Sequence, residues 1–307
     1  MDTICKIPKT TVEKDFLDNF HLVTEKKNGK QSLKFFCPLI DANEFNYEGM
    51  IVSLRDAAGH YCLSRRTWDE NVKRTMQLSH LVREKFRELD QNKGELAELL
   101  LFSFLETDLK APKILTKMEL KTNPNMYFNG ADGVHYLKLS NGDYQLIFGE
   151  SKAFNNLGDG ISAALDSIRD FKNNEIKDDI SGTVKGIEFE KGLLSACIAN
   201  ETYSEEERDL LKSLIYPKAS NHFAVDTAFA VFVLFNFGID SNMKKLSNQE
   251  FRDQLFNKIR IMVDDLMPSI SQKINSRNLM GHSLYFYLLP LHEMELQRAK
   301  ILGKVVE

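Results

Sequence analysis

Asp132, Glu150 and Lys152 are the residues whose types and spacing suggest chemistry. They lie in residues 130–152, GADGVHYLKLSNGDYQLIFGESK, with one acid near the start and an acid and a lysine at the end. Strand side chains repeat with period two, so Glu150 and Lys152 project to one side, about 7 Å apart, with Ser151 turned away. Two carboxylates beside a lysine suit a hard divalent cation. Mg2+, or Mn2+ in its place, takes oxygen ligands and keeps several waters, so two carboxylates and a substrate phosphate suffice. Such an ion polarises a phosphoryl oxygen and lowers the pKa of a bound water. The lysine orients that water or stabilises the charge that develops at phosphorus. The same residues also fit a hairpin whose tip charges form a salt bridge, and spacing alone leaves both readings open.

Whether Asp132 joins Glu150 depends on the turn between the two strands. Asn141-Gly142 as a two-residue turn sets Asp132 opposite Ser151, on the wrong face. A three-residue loop, Ser140-Asn141-Gly142 with Gly142 left-handed, sets Asp132 opposite Glu150, Val134 opposite Phe148 and Tyr136 opposite Leu146. The second register is preferred because it keeps the apolar set on one face. A bulge near Gly133 would rescue the first.

Upstream, residues 77–108 read as helical, with Leu78, Leu81, Val82 and Leu89 in register and a break at Gly94. The second helix, 95–106, buries Leu96, Leu99, Leu100 and Phe104. Glu95 and Glu98 share one face of it, and either could bring a third carboxylate to the metal. Glu98 ranks first because it borders the apolar stripe; as ordinary helix acids both would lie on the surface. Residues 113–121, KILTKMELK, alternate as a half-exposed strand. Its face bearing Lys113, Lys117 and Lys121 is a phosphate track or a sheet edge guarded by lysines.

The remaining elements frame this centre. Residues 1–75 read as a small α/β or mostly β module, with strand-like composition at 32–37, 49–54 and 60–63. Arg65 and Arg66, before Trp68, could touch a phosphate backbone, but the favoured reading is a solvated loop with a partly buried ring. After the hairpin, Asp159 is expected to cap a helix whose stripe is Ile161, Ala164, Leu165 and Ile168. A short strand is expected at 183–189 and a helix at 205–216. Residues 227–237, TAFAVFVLFNF, are apolar on both faces, as a central buried strand requires. One long helix over 246–274, or two with a break at Pro268, then a strand at 282–289 and a helix at 293–306 close the chain. The order implies a mixed sheet with helices on both sides, in one domain over 76–307.

Composition narrows the classes. The chain has 307 residues, 43% hydrophobic and 27% charged, with a net charge of −4, so bulk charge does not advertise a nucleic-acid binder. Cys5, Cys37, Cys62 and Cys197 are scattered without a CxxC pair and read as reduced thiols. The start, MDTICKIPKT, lacks a signal-peptide core, and the longest apolar run, 228–235, is too short to span a bilayer. A cytoplasmic protein is expected. There is no GxxxxGK[ST] sequence, so any ATPase would belong to a partner.

As a set, a helix glutamate (Glu98, in KGELAELLL), Asp132 in GADG, and Glu150-Ser151-Lys152 closing an apolar strand before a helix resemble the PD-(D/E)XK superfamily of nucleases. That resemblance covers roughly residues 90–175. More narrowly, GADGVHYL…FGESKAF and the overall length are similar to HamA, the nuclease subunit of the Hachiman anti-phage system. The resemblance implies an α/β fold with a restriction-endonuclease-like mixed β-sheet flanked by helices, preceded by a small N-terminal module. It implies Mg2+ on Asp132 and Glu150 with help from Glu98, and Lys152 on the attacking water. It implies DNA as substrate and a superfamily-two helicase, HamB-like, as partner. Where many members carry a glutamine in the helix after the lysine, this chain has Asn155 and Asn156. Two other readings stand beside this one: a non-catalytic nuclease-fold subunit that senses DNA or regulates a helicase, and a nuclease of RNA, since contacts to phosphate do not distinguish the sugars.

Overall fold

The computed structural model describes residues 9–86, 94–120, 130–177 and 184–307. A 3-10 helix at Lys14–Asn19 leads into strands β1 (Phe20–Asn28), β2 (Gln31–Asp41) and β3 (Glu44–Asn46). Helices α1 (Glu48–Cys62), α2 (Arg65–Asn71), α3 (Thr75–Lys85) and α4 (Glu95–Thr107) follow. Strand β4 (Lys113–Thr116) passes directly into the one-turn helix α5 (Lys117–Leu120). Then come β5 (Gly133–Lys138), β6 (Tyr144–Phe154) and α6 (Leu157–Lys172). A small ladder of β7 (Ile176–Lys177) and β8 (Val184–Lys185) precedes α7 (Ile187–Asn200) and α8 (Glu205–Ile215). The chain ends with β9 (Val225–Asn236), α9 (Ser241–Lys244), α10 (Asn248–Ser276), β10 (Ser283–Leu291) and α11 (Met294–Val306).

One mixed sheet organises these elements, in the order β1-β2-β10-β9-β6-β5-β4, with β3 paired to β2. The β2–β10, β10–β9 and β9–β6 pairs are parallel, and the flanking β1–β2, β6–β5 and β5–β4 pairs are antiparallel. Strand β9 lies at the centre, and alternation sends its side chains into two cores. Phe229, Val231, Val233 and Phe235 pack with the α6 stripe of Ile161, Ala164, Leu165 and Ile168 and with Phe251 and Ile259 of α10. Ala228, Ala230, Phe232 and Leu234 pack with α1, α4 and α11. A strand covered on both faces is apolar at every position, which explains the run at 227–235. Each core holds a buried free thiol, Cys37 in the first and Cys62 in the second.

The mixed sheet flanked by helices is as expected, and so are the strands near 32–37, 227–237 and 282–289. Other local expectations are overturned. Residues 49–54 and 60–62 belong to helix α1, whose buried Met50, Leu54, Ala57, Ala58 and Tyr61 recur at helical spacing, and Leu63 is its extended C-cap. Arg65 and Trp68 lie in helix α2, and the Trp68 ring sits 3.7 Å from that of His60. The strand expected over 113–121 stops at Thr116. The alternation of Ile114, Thr116, Met118 and Leu120 is too short to separate a strand from a strand followed by one helical turn. The α6 cap is Asn156, whose side chain accepts from the Asp159 N–H at 3.1 Å, so Asp159 is the third residue of the helix. The strand expected over 183–189 reduces to Val184–Lys185. Of the two alternatives at 246–274 the single long helix holds, since α10 runs unbroken through Pro268. Leu89, Lys121, Thr183 and Cys5 lie outside the described residues. Strands from both sides of the expected division at residue 75 share the one sheet, since β2 hydrogen-bonds to β10. No helix among the described residues is long and apolar enough to cross a membrane.

Candidate active site

The β5–β6 hairpin takes the three-residue register. Val134 faces Phe148, Tyr136 faces Leu146, and Gly133 faces Gly149. Gly142 supplies the left-handed residue, with φ +93°, and its N–H donates to Leu139 O at 3.0 Å. A side chain at this φ is strained, which is why glycine stands there. Asp132 therefore enters one step before β5, its N–H donating to Gly149 O at 2.9 Å.

Asp132, Glu150 and Lys152 meet at one cavity of about 430 Å³, which Glu98, Lys117 and Ser151 also line. Lys152 Nζ lies 2.6 Å from Glu150 Oε1, as their same-side spacing requires. Asp132 Oδ2 accepts from Ser151 N at 2.7 Å and from Ser151 Oγ at 2.8 Å. Ser151 was expected to point away from the pair; instead the aspartate reaches across the end of the ladder to it. Asp132 Oδ1 lies 3.4 Å from Lys117 Nζ. Helix α4 brings Glu98 in from its first turn. Glu98 Oε2 accepts from the Tyr61 hydroxyl at 2.8 Å, and its Oε1 lies 3.9 Å from Lys117 Nζ.

Glu95 and Glu98 are both buried rather than surface acids, and only Glu98 lines the cavity. The expected lysine track is not formed by the described lysines. Lys113 pairs with Glu119 and donates to the His60 and Leu63 carbonyls at the end of α1, while Lys117 turns into the site. Asn156 serves as the α6 cap.

The charges here are tuned by burial and by one another. Burial, reinforced by the Asp132 carboxylate, pushes Glu150 up to about 7. Burial opposes the Lys152 ammonium, but Glu150 outweighs it and holds the lysine above its ordinary range. Lys117 is likewise raised: burial is overcome by Glu98, Asp132 and Glu150. Burial and the adjacent Glu98 carboxylate push the Tyr61 hydroxyl far above its usual range, so it stays a donor. A further acid, Glu190 of α7, is buried next to this group. Burial raises it to about 7 against the pull of Lys117, with Asp132 adding to the rise.

Sequence reasoning missed Lys117, Ser151, Tyr61 and Glu190. Lys117 was hidden by an alternation that continued past the end of the strand. Ser151 was discounted by strand parity, which does not bind a side chain that pairs beyond the last ladder rung. Tyr61 and Glu190 come from elements distant in sequence, and no local pattern marks them.

Among the described residues, no three His, Cys, Asp or Glu side chains are grouped closely enough to hold a metal by themselves. Asp132 and Glu150 remain a pair of hard oxygen donors, with Glu98 behind Lys117. A larger cavity of about 710 Å³, between α1, α3 and the C-terminal residues, holds none of the expected site residues. The HamA family model matches residues 13–305, nearly the whole chain. No curated protein matches it.

Proposed function

Because the chain belongs to the HamA family, part of the Hachiman anti-phage defence system, we propose that it is a metal-dependent deoxyribonuclease, the effector of a complex with a helicase partner. The observation that carries this reading is the meeting of Asp132, Glu150 and Lys152 at one cavity. The donor set fits a divalent cation. Burial and Asp132 both disfavour ionised Glu150, a cost that a divalent ion between the two carboxylates would relieve. Mg2+ or Mn2+ held by Asp132 and Glu150, with Glu98 as a further oxygen donor, would polarise a phosphoryl oxygen and acidify a bound water.

The side chains have separable tasks. Ser151 fixes Asp132 through two hydrogen bonds, so that carboxylate is presented in one orientation. Lys152, in contact with Glu150, orients the attacking water and offsets negative charge that builds at phosphorus. Tyr61 holds Glu98 towards the cavity. The net charge of −4 gives the chain little general attraction for a polyanion, which suits a nuclease that receives its strand from a helicase.

The test is DNA cleavage by the purified chain, alone and with its helicase, in Mg2+. Glu150→Gln and Lys152→Met should each lower the rate by on the order of 100-fold or more, with unchanged circular dichroism. Undiminished cleavage in both variants refutes the assignment. The second reading is a non-catalytic subunit that senses DNA or regulates the helicase. In that case both variants would leave DNA-stimulated helicase activity intact, and the wild-type complex would leave DNA uncut.

A further inference from the structure

We infer that Lys117 is a resident counter-ion of the acidic cluster, and that it swings from Asp132 and Glu98 to Glu190 when a divalent cation enters. This rests on the metal site proposed above. Lys117 opens α5 where β4 stops, and its backbone N–H donates to Asp132 O at 3.0 Å. Its main chain is thereby fixed beside the site. Its Nζ lies 3.4 Å from Asp132 Oδ1 and 3.9 Å from Glu98 Oε1. Those are the oxygen atoms an entering cation would need, since Asp132 Oδ2 is already engaged by Ser151. An ammonium and a divalent ion cannot share them without strong like-charge repulsion.

Charge balance points the same way. Asp132, Glu150 and Glu98 bring three formal negative charges, and Lys117 and Lys152 two positive ones. A divalent ion added to that set leaves an excess positive charge, and departure of Lys117 removes it.

The destination is visible in the structure. Lys117 and Gly130 line both the main cavity and a smaller one behind it, and the smaller one also contains Glu190. Glu190 is buried at 4% exposure. Its Oε2 lies 2.5 Å from the place a Cβ on residue 130 would take, so glycine lets the carboxylate press against the loop that carries Asp132. A lysine has a flexible four-carbon stem, and its ammonium can pivot between the two cavities while its Cα stays in place. Lys185 lines the smaller cavity too, and its charge favours the ionised form of the same carboxylate.

The experiment is Mn2+ binding to the full chain without DNA or helicase, read by calorimetry and by electron paramagnetic resonance. Lys117→Met should tighten Mn2+ binding by about tenfold or more, because a competing charge is gone. Lys117→Arg keeps the charge and should not tighten it. Glu190→Gln should weaken binding in the wild-type background and have no effect beside Lys117→Met. If Lys117→Met does not fold, as judged by circular dichroism, the same comparison is made with Lys117→Gln. Unchanged or weaker binding in the folded neutral variant overturns the counter-ion role while leaving the metal site standing. An equal effect of Glu190→Gln in both backgrounds removes Glu190 as the acceptor. Failure of every variant to bind Mn2+ overturns the metal site and this inference together.

Discussion

Glu190 shows what it costs to keep an acid beside other buried charges. Burial and Asp132 raise its folded-state pKa to about 7 from an ordinary 4.5, more than Lys117 and Lys185 pull it down. The folded chain therefore holds this proton more tightly than the unfolded chain does. Stability is lost as pH rises from about 4.5 towards about 7. Glu190→Gln lacks that penalty. In chelator it should be more stable than wild type by about 1–3 kcal/mol near pH 8, since one pKa unit is worth about 1.4 kcal/mol. The gap should close near pH 4.5; urea denaturation at the two pH values would measure it, and a variant less stable at the higher pH would contradict the sign. At this scale the sequence was readable where a local rule applied. Gly142 and the apolar pairs Val134–Phe148 and Tyr136–Leu146 are enough to place Asp132 beside Glu150. It was not readable at Lys117, because whether that ammonium faces water or Asp132 depends on where β4 ends.

Elements show how tightly the site is backed. Helix α6 begins three residues after Phe154 and lies against β9 at Gly160. A Cβ on Gly160 would come within 2.7 Å of Val233 Cγ1 and 3.3 Å of Phe154 Cβ. Val233 is buried and stiff at χ1, so it cannot yield cheaply. Gly160→Ala gains up to about 1 kcal/mol of helix propensity but incurs about 1–3 kcal/mol of overpacking. A net loss near 1 kcal/mol is expected. In α7, Gly192 is exposed, with nothing within 4 Å of its would-be Cβ. There the same substitution should gain about 0.5–1 kcal/mol. Denaturant midpoints of the two variants should move in opposite directions. The same reasoning explains why α10 survives Pro268. The proline removes the hydrogen bond to the Asp264 carbonyl, but Pro268 and Asp264 are both exposed, so water can take its place. Val263 and Ile270 stay buried on either side. From sequence a proline marks a break, and only the burial of its turn decides otherwise. Residues 49–54 likewise read as a strand because six residues hold too few periods to reveal the helical one.

At the scale of the molecule, both ends of the chain build one sheet. Strand β2 from the N-terminal region lies between β1 and β10, and Phe36 of β2 packs against Phe104 of α4 and Tyr287 of β10. The mixed sheet was legible because runs such as 227–235 admit few environments. The pairing of β2 with β10, more than 240 residues apart in sequence, has no local signature. One thiol, Cys37, sits in the layer that α6 and α10 cover, and another, Cys62, in the layer that α1, α4 and α11 cover. Burial pushes Cys62 up to about 12 and Cys37 higher still, so neither is a thiolate at neutral pH. Half-buried Cys197 should be alkylated well before either. The protein thus carries an internal label on each side of its sheet. Mass-spectrometric timing of iodoacetamide uptake at Cys37 and Cys62 in rising urea would tell whether the two layers come apart in one step, with matched rates, or peel away one after the other.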